Sequence, residues 1–211
     1  MAEQYFARRP RSRRRPRTFE VTIRGRRFRF HTEGGVFSSR GLDRGSELLL
    51  RALELGPCDL ILDLGCGYGA LGTVAAGLAP GGHAILSDIN RRAVSLAKRN
   101  LRANKITNAE VRHGNLYEPI GGMAFDHIVC NPPIRAGRRI IHRIIDEAPD
   151  HLLEGGHLWL VARSKQGADT LAGRMRETFG GVEVVARGSG YKVLRSEKTP
   201  APTNLRIEPR T

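Results

Sequence analysis

Leu60-Ile61-Leu62-Asp63-Leu64-Gly65-Cys66-Gly67-Tyr68-Gly69-Ala70-Leu71-Gly72 decides the fold. The first five residues are a short apolar run and read as a strand buried on both faces. Gly65, Gly67 and Gly69 alternate behind it, a spacing that lets the chain turn sharply and brings its backbone close to a ligand. Ala70, Leu71, Val74, Ala75 and Leu78 then recur at helical spacing until Pro80-Gly81-Gly82. A strand, a glycine turn and a helix in this order begin a βαβ unit.

The alternation continues downstream. Residues 83–87 form a second strand that ends on Asp88. Residues 91–103 form an amphipathic helix, with Ala93, Val94, Leu96, Ala97 and Leu101 inward and Arg91, Arg92, Lys98, Arg99 and Arg102 outward. Residues 110–113 and 125–130 read as strands three and four. A helix marked by Ile140, Ile141, Ile144, Ile145, Ala148 and Leu152, a strand within 156–162 and a helix over Ala168 to Phe179 follow. Residues 182–186 and 191–194, joined by Gly188-Ser189-Gly190, are close enough to pair antiparallel. The expected fold is α/β: a mostly parallel, seven-stranded sheet with an antiparallel last strand and helices on both faces.

Ahead of this body, Phe19, Val21, Ile23, Phe28 and Phe30 alternate around Arg24-Gly25-Arg26, which predicts a hairpin. Asp43 or Ser46 is placed to cap a helix over 44–55. Residues 1–17 hold seven arginines (Arg8, Arg9, Arg11, Arg13, Arg14, Arg15, Arg17) against Glu3 alone, broken by Pro10 and Pro16. Like charges and prolines predict a disordered arm there, and residues 197–211 read as a loose tail.

The 211 residues suffice for one domain with a full core, and 40% apolar with 27% charged residues is a globular composition. No apolar run is long enough to span a bilayer, and no secretory signal is evident, so a cytoplasmic protein is expected. An arginine-rich, acid-poor start also fits a transit peptide, although its prolines oppose an amphipathic helix. Cys58, Cys66 and Cys130 lack metal-ligand spacing and the seven histidines form no zinc pattern, so no metal is expected. The net charge is +14; the arm carries +6, which leaves +8 on the folded part. A basic body with a basic arm points to a polyanionic partner, most simply nucleic acid.

The chemistry concentrates in two places. Asp126-His127-Ile128-Val129-Cys130-Asn131-Pro132-Pro133-Ile134 reads as a strand that two prolines must stop, with Pro132 holding Asn131 extended. Ligands sit at that end of an open α/β sheet. There the Asn131 side-chain oxygen and the Pro132 carbonyl are two acceptors, matched to the two donors of a planar exocyclic –NH2. The glycine loop also satisfies G-x-G-x-x-G over 67–72, and Asp88 stands where an acidic residue binds ribose hydroxyls, so a dinucleotide-dependent dehydrogenase competes. Asp63, a carboxylate at the loop's entry, suits a ligand bearing an ammonium or sulfonium and would repel a pyrophosphate.

Asp63-Leu64-Gly65-Cys66-Gly67-Tyr68-Gly69, Asp88, Asn115 and Asn131-Pro132-Pro133-Ile134 together resemble the motifs of class I S-adenosylmethionine-dependent methyltransferases acting on exocyclic amines. Gly35-Val36-Phe37-Ser38 and Gly41-Leu42-Asp43-Arg44-Gly45-Ser46 narrow the resemblance to the small-subunit rRNA guanine-N2 methyltransferases, over about residues 30 to 196. The resemblance implies a Rossmann-like methyltransferase domain over 18–196, hairpin included, with S-adenosylmethionine as cofactor. It places Gly65, Cys66, Gly67 and Gly69 along the methionine and ribose part, with Asp63 oriented toward the loop. It further places Asp88 on the ribose, Ile89, Asn115 and Leu116 at the adenine, and Phe37 over the cofactor. Asn131, Pro132, Pro133 and Ile134 would form the catalytic segment. Arg135, Arg138, Arg139 and Arg143 would hold RNA phosphates beside the arm. Methylation of adenine N6 or of a protein glutamine, and a non-catalytic RNA-binding protein of the same fold, are the alternatives.

Overall fold

The computed structural model describes residues 13, 15–38, 41–132, 137–165 and 167–200. Most of the arginine arm, Pro133, Ile134, Arg135 and most of the tail lie outside these residues. A hairpin of β1 (Arg17–Ile23) and β2 (Arg26–Thr32) precedes α1 (Arg44–Ala52). Then follow β3 (Leu60–Leu64), α2 (Ala70–Leu78), β4 (His83–Asp88), α3 (Arg91–Ala103), β5 (Ala109–His113) and β6 (Phe125–Cys130). The chain continues through α4 (Arg138–Asp146), a 3-10 turn at Ala148–His151, β7 (Leu152–Arg163), α5 (Ala168–Phe179), β8 (Glu183–Gly188) and β9 (Tyr191–Glu197).

The seven strands after the hairpin form one sheet in the order β5-β4-β3-β6-β7-β9-β8. β5, β4, β3, β6 and β7 pair in parallel, and β9 runs antiparallel to both β7 and β8. The antiparallel last strand is therefore as expected, but it sits inside the sheet rather than at its edge. α4 stops at Asp146, short of the helix expected through Leu152: Ala148 lies in the 3-10 turn, and Leu152 begins β7, which is longer than the strand expected within 156–162; α1 stops at Ala52 rather than 55. The expected tail starts late, because Lys198 still exchanges backbone hydrogen bonds with Gly155 and Gly156 at 2.9 and 2.8 Å.

The sheet buries both faces, as its runs of branched apolar residues require. Ile61 of β3 joins a core with α1, α2, α3 and the hairpin, while Leu62 and Leu64 join a second core with α4 and α5. The hairpin belongs to the first core. Ile23 and Phe30 are fully buried, and Phe30 meets Tyr68 of the glycine loop edge-on at 5.7 Å. Burying a side chain of that size contributes about 1.5–3 kcal/mol.

Three polar devices hold the hairpin. Asn100 of α3 accepts from His31 N at 2.7 Å and donates to His31 O at 2.9 Å. One turn later Asn104 does the same for Arg29, at 2.8 and 2.7 Å. Two amides thus satisfy the open edge of β2, which would otherwise present unpaired backbone. At the turn, Arg24 donates to the Arg51 and Leu53 carbonyls and Arg26 to the Gly77 carbonyl. These are the C-terminal ends of α1 and α2, where cations oppose the negative pole of the helix dipole.

Candidate active site

The parallel strands all point their C-terminal ends at one edge of the sheet, and a pocket of about 790 Å³, mouth included, opens there. Its wall begins with the turn after β3. Gly65 N and Cys66 N both donate to Ser87 O at 2.9 Å, which folds the turn back over β4. Gly65 and Gly67 have φ of 74° and 59°, in the left-handed region that glycine tolerates. A Cβ built at Gly65 would touch no protein atom and would stand in open space. The glycine therefore keeps room on the pocket side rather than relieving a clash within the protein.

Asp88 ends β4 on the opposite wall. Its Oδ2 accepts from Gly67 N at 2.8 Å and its Oδ1 from Asn90 N at 2.7 Å. A carboxylate has about four lone-pair positions, so two remain for other donors. Burial pushes its pKa up to about 6, against the pull of those two N–H groups. Ser87, which also lines the pocket, has a buried Oγ without a partner among the described residues. Free carboxylate lone pairs, an orphaned hydroxyl and a glycine that clears space match a polyhydroxylated ligand such as the nucleoside part of S-adenosylmethionine.

Of the residues singled out from sequence, Phe37, Gly65, Gly67, Asp88, Ile89, Asn115, Leu116 and Asn131 line this pocket. Leu116 does so at φ 51°, an uncommon conformation for a branched side chain. Asn115 donates from Nδ2 to Glu118 at 3.2 Å. Asp63 and Cys66 line a smaller adjoining recess that Asn131 and Phe37 share. Asp63 is 1% exposed, and its Oδ2 accepts from Gly72 N at 2.7 Å, which ties the carboxylate beneath the loop. Burial raises its pKa to about 7. Gly69 lies off the pocket at the N-terminal end of α2, where a Cβ would press on Ala97 and Leu86 at 3.0 and 3.1 Å. Pro132 is described and buried, whereas Pro133 and Ile134 fall outside the described residues. Arg143 is engaged with Glu147 one turn along α4, at 2.6 Å.

Asn131 closes the far side. Its Nδ2 donates to Asp43 Oδ2 at 3.0 Å and to Ser46 Oγ at 2.9 Å. Asp43 also caps α1 by accepting from Gly45 N and Ser46 N at 3.0 and 3.1 Å. An ionised carboxylate only accepts, so the –NH2 end of the amide must face it. Among the described residues nothing donates to Asn131 Oδ1, which remains an acceptor at the pocket wall. The sequence marked Asp43 and Ser46 as candidate helix caps and as part of the resembling motif, with no role at the site. Their second use lies 85–88 residues away in the chain. The only local hint is that two polar residues stand where one cap suffices.

Residues 27–195 match the family model described as methyltransferase small domain. The chain is 34% identical over 200 residues to the uncharacterized protein YbxB of Bacillus subtilis, covering 94% of this chain and 100% of that one. It is 38% identical over 166 residues to ribosomal RNA small subunit methyltransferase C of Hamiltonella defensa, covering 77% of this chain and 48% of that enzyme. In structure it is similar to the T. thermophilus 16S rRNA N2 G1207 methyltransferase in complex with AdoMet and guanosine, with a TM-score of 0.77 and 32% identity. That match covers 87% of this chain and 50% of the other. The chain thus spans about half the length of these rRNA methyltransferases. With the glycine turn, the acidic end of β4 and Asn131 meeting at one pocket, the chain belongs to the methyltransferase small domain family, and it has the class I S-adenosylmethionine-dependent methyltransferase fold of the small-subunit rRNA guanine-N2 methyltransferases it resembles.

Proposed function

We propose that this chain is a cytoplasmic enzyme that methylates the exocyclic amine of a nucleobase in RNA, guanine N2 of ribosomal RNA, using S-adenosylmethionine. The observation that carries the proposal is the amide of Asn131, which lines the pocket and is anchored through its nitrogen by Asp43 and Ser46, leaving its oxygen as the acceptor. The relatives acting on ribosomal RNA and the excess of basic residues support the choice of substrate.

Gly65 and Gly67 would border the methionine and ribose, Asp88 would accept from the ribose hydroxyls, and Ile89, Asn115 and Leu116 would enclose the adenine. Asp63, beneath the loop, would contribute negative potential toward a cationic centre. When bound, S-adenosylmethionine supplies an electrophilic methyl on a sulfonium, to which the amine nitrogen adds as the carbon–sulfur bond breaks. Asn131 Oδ1 and the Pro132 carbonyl would accept the two N–H groups of that amine. This favours the pyramidal nitrogen, aims its lone pair and supports the positive charge that develops on it. The methylated nitrogen is acidic enough to release its proton to water, so no strong base is required of the protein. The target base would have to leave its stack to reach the amide. The arm and Arg135, Arg138, Arg139 and Arg143 would assist with phosphates.

Asn131→Ala should retain cofactor binding by calorimetry and lose at least about 100-fold in kcat, the scale of one well-placed polar group. Turnover near wild type would refute the role given to Asn131. Mass spectrometry of nucleosides from ribosomal and transfer RNA, with and without the protein, identifies the base. N2-methylguanosine is the expected product, and N6-methyladenosine would overturn the guanine assignment.

A further inference from the structure

The outward face of α3 is a ridge of cations that the site above does not use. Arg91, Lys98, Arg99 and Arg102 are exposed on it, and Lys105 is exposed just beyond its end. At 3.6 residues per turn, the four helical cations fall within an arc of roughly 100°. The line from Arg91 to Arg102 runs about 16 Å along the helix, at roughly 1.5 Å per residue.

Several cations elsewhere on the surface are paired with acids: Arg51 with Glu47, Arg174 with Asp146, Arg195 with Glu54 and Glu183, Lys192 with Asp169. On α3 there is no acidic residue in the helix at all, and among the described residues none of the five ridge cations has an acidic partner. Lys98 and Arg102 stand one turn apart, and Arg99 and Arg102 are three residues apart, both repulsive spacings. Arg91 lies in the first turn, where the helix dipole disfavours a cation. The helix thus carries an arrangement that works against its own stability and that a bound polyanion would relieve. Its position fits that use. Asn90, which caps α3, lines the cofactor pocket, so the ridge starts at the pocket rim.

We propose that the exposed face of α3 is a docking surface for the phosphate backbone of the RNA substrate, separate from the arm and from the arginines that follow Asn131. The identity of the polyanion rests on the function proposed above. The surface reads no sequence, because phosphate contacts position an RNA without distinguishing bases.

The test is the salt dependence of binding of the full chain to a labelled single-stranded RNA oligomer. The variant Lys98→Gln/Arg99→Gln/Arg102→Gln removes three cations. It should flatten the slope of log affinity against log salt by about 2, at roughly 0.7 per single-strand phosphate. Its thermal midpoint should be unchanged or higher, since repulsion within α3 is removed. The charge-matched variant Lys165→Gln/Arg176→Gln/Arg187→Gln should leave the slope nearly as in wild type. Equal effects from the two variants would reduce the result to net charge and overturn the proposal, as would an unchanged slope in the α3 variant. So would loss of binding to anionic lipid vesicles or to polyglutamate with RNA binding intact. Binding needs no turnover, so an α3 effect in a chain that methylates no RNA would uphold the surface and remove the activity. Where methylation is observed, the α3 variant should raise KM for RNA and leave kcat unchanged.

Discussion

Replacing Asp43 by alanine would strike the fold and the active site through one side chain. Asp43 Oδ2 accepts from Gly45 N, Ser46 N and Asn131 Nδ2, and Oδ1 from the Tyr191 hydroxyl at 3.3 Å. Loss of the cap costs about 1 kcal/mol. Loss of a hydrogen bond to a charged group costs about 1.5–3 kcal/mol more. The combined cost of roughly 2.5–4 kcal/mol corresponds to a fall in Tm of about 5–15 °C for a chain of this size. The expected effect on chemistry is distinct. With Asp43 gone, Ser46 alone anchors the amide, and a hydroxyl can donate as well as accept, so nothing prevents Asn131 from presenting –NH2 to the substrate amine. We expect kcat to fall about 10- to 100-fold, equivalent to roughly 1.4–2.7 kcal/mol, with cofactor affinity unchanged because residues 65–88 are untouched. Asp43→Asn is the control. Its amide oxygen can replace Oδ2 toward the three N–H donors, and its –NH2 can face the Tyr191 oxygen. That variant should stay within about 1 kcal/mol of wild type in stability and within a few-fold in kcat. Urea unfolding and single-turnover methyl transfer measure the two effects. An alanine variant with undiminished kcat would refute the orienting role, and an asparagine variant as impaired as alanine would show that charge rather than geometry matters.

Two further outcomes follow from the pocket walls. Gly65→Ala places a methyl in open space at φ 74°, so it should fold with a loss of about 1–2 kcal/mol yet weaken cofactor binding at least tenfold by calorimetry. Asp63 has a folded pKa near 7 against an ordinary value of 3.8. The folded state therefore holds more protons than the unfolded one between these values, and this group's contribution to stability falls as pH rises from about 4 to 7. Asp63→Asn should remove that component. The difference in urea midpoint between variant and wild type should grow in the variant's favour from pH 5 to pH 7, and a pH-independent difference would contradict the buried, uncompensated carboxylate.

The parallel part of the sheet was legible because each of its strands is a short apolar run ended by a turn signal, and each helix shows its inward stripe. The glycine turn, Asp88 and Asn131 were legible as strand-end residues, since strand ends of parallel sheets converge on one edge. The position of β9 was not, because the turn at Gly188-Ser189-Gly190 specifies an antiparallel pair but not which member meets β7. Nor was the reach of Asp63. The resemblance orients it toward the loop, as found, but its burial and its bond to Gly72 N, nine residues on, are not written in the residues around it. The partnership of Asp43 with Asn131 and that of Asn100 with His31 join residues 88 and 69 apart, and no local pattern encodes such a contact.

The hairpin changes where the cooperative unit starts. The family match begins at residue 27, after β1 and after both arginines that terminate α1 and α2. A fragment trimmed to that boundary would leave β2 without its neighbour, uncover Phe28 and Phe30, and free two helix ends to fray. Tyr68, packed on Phe30, belongs to the same turn that shapes the cofactor wall. What looks like an N-terminal ornament is the buttress against which the nucleotide cleft is set.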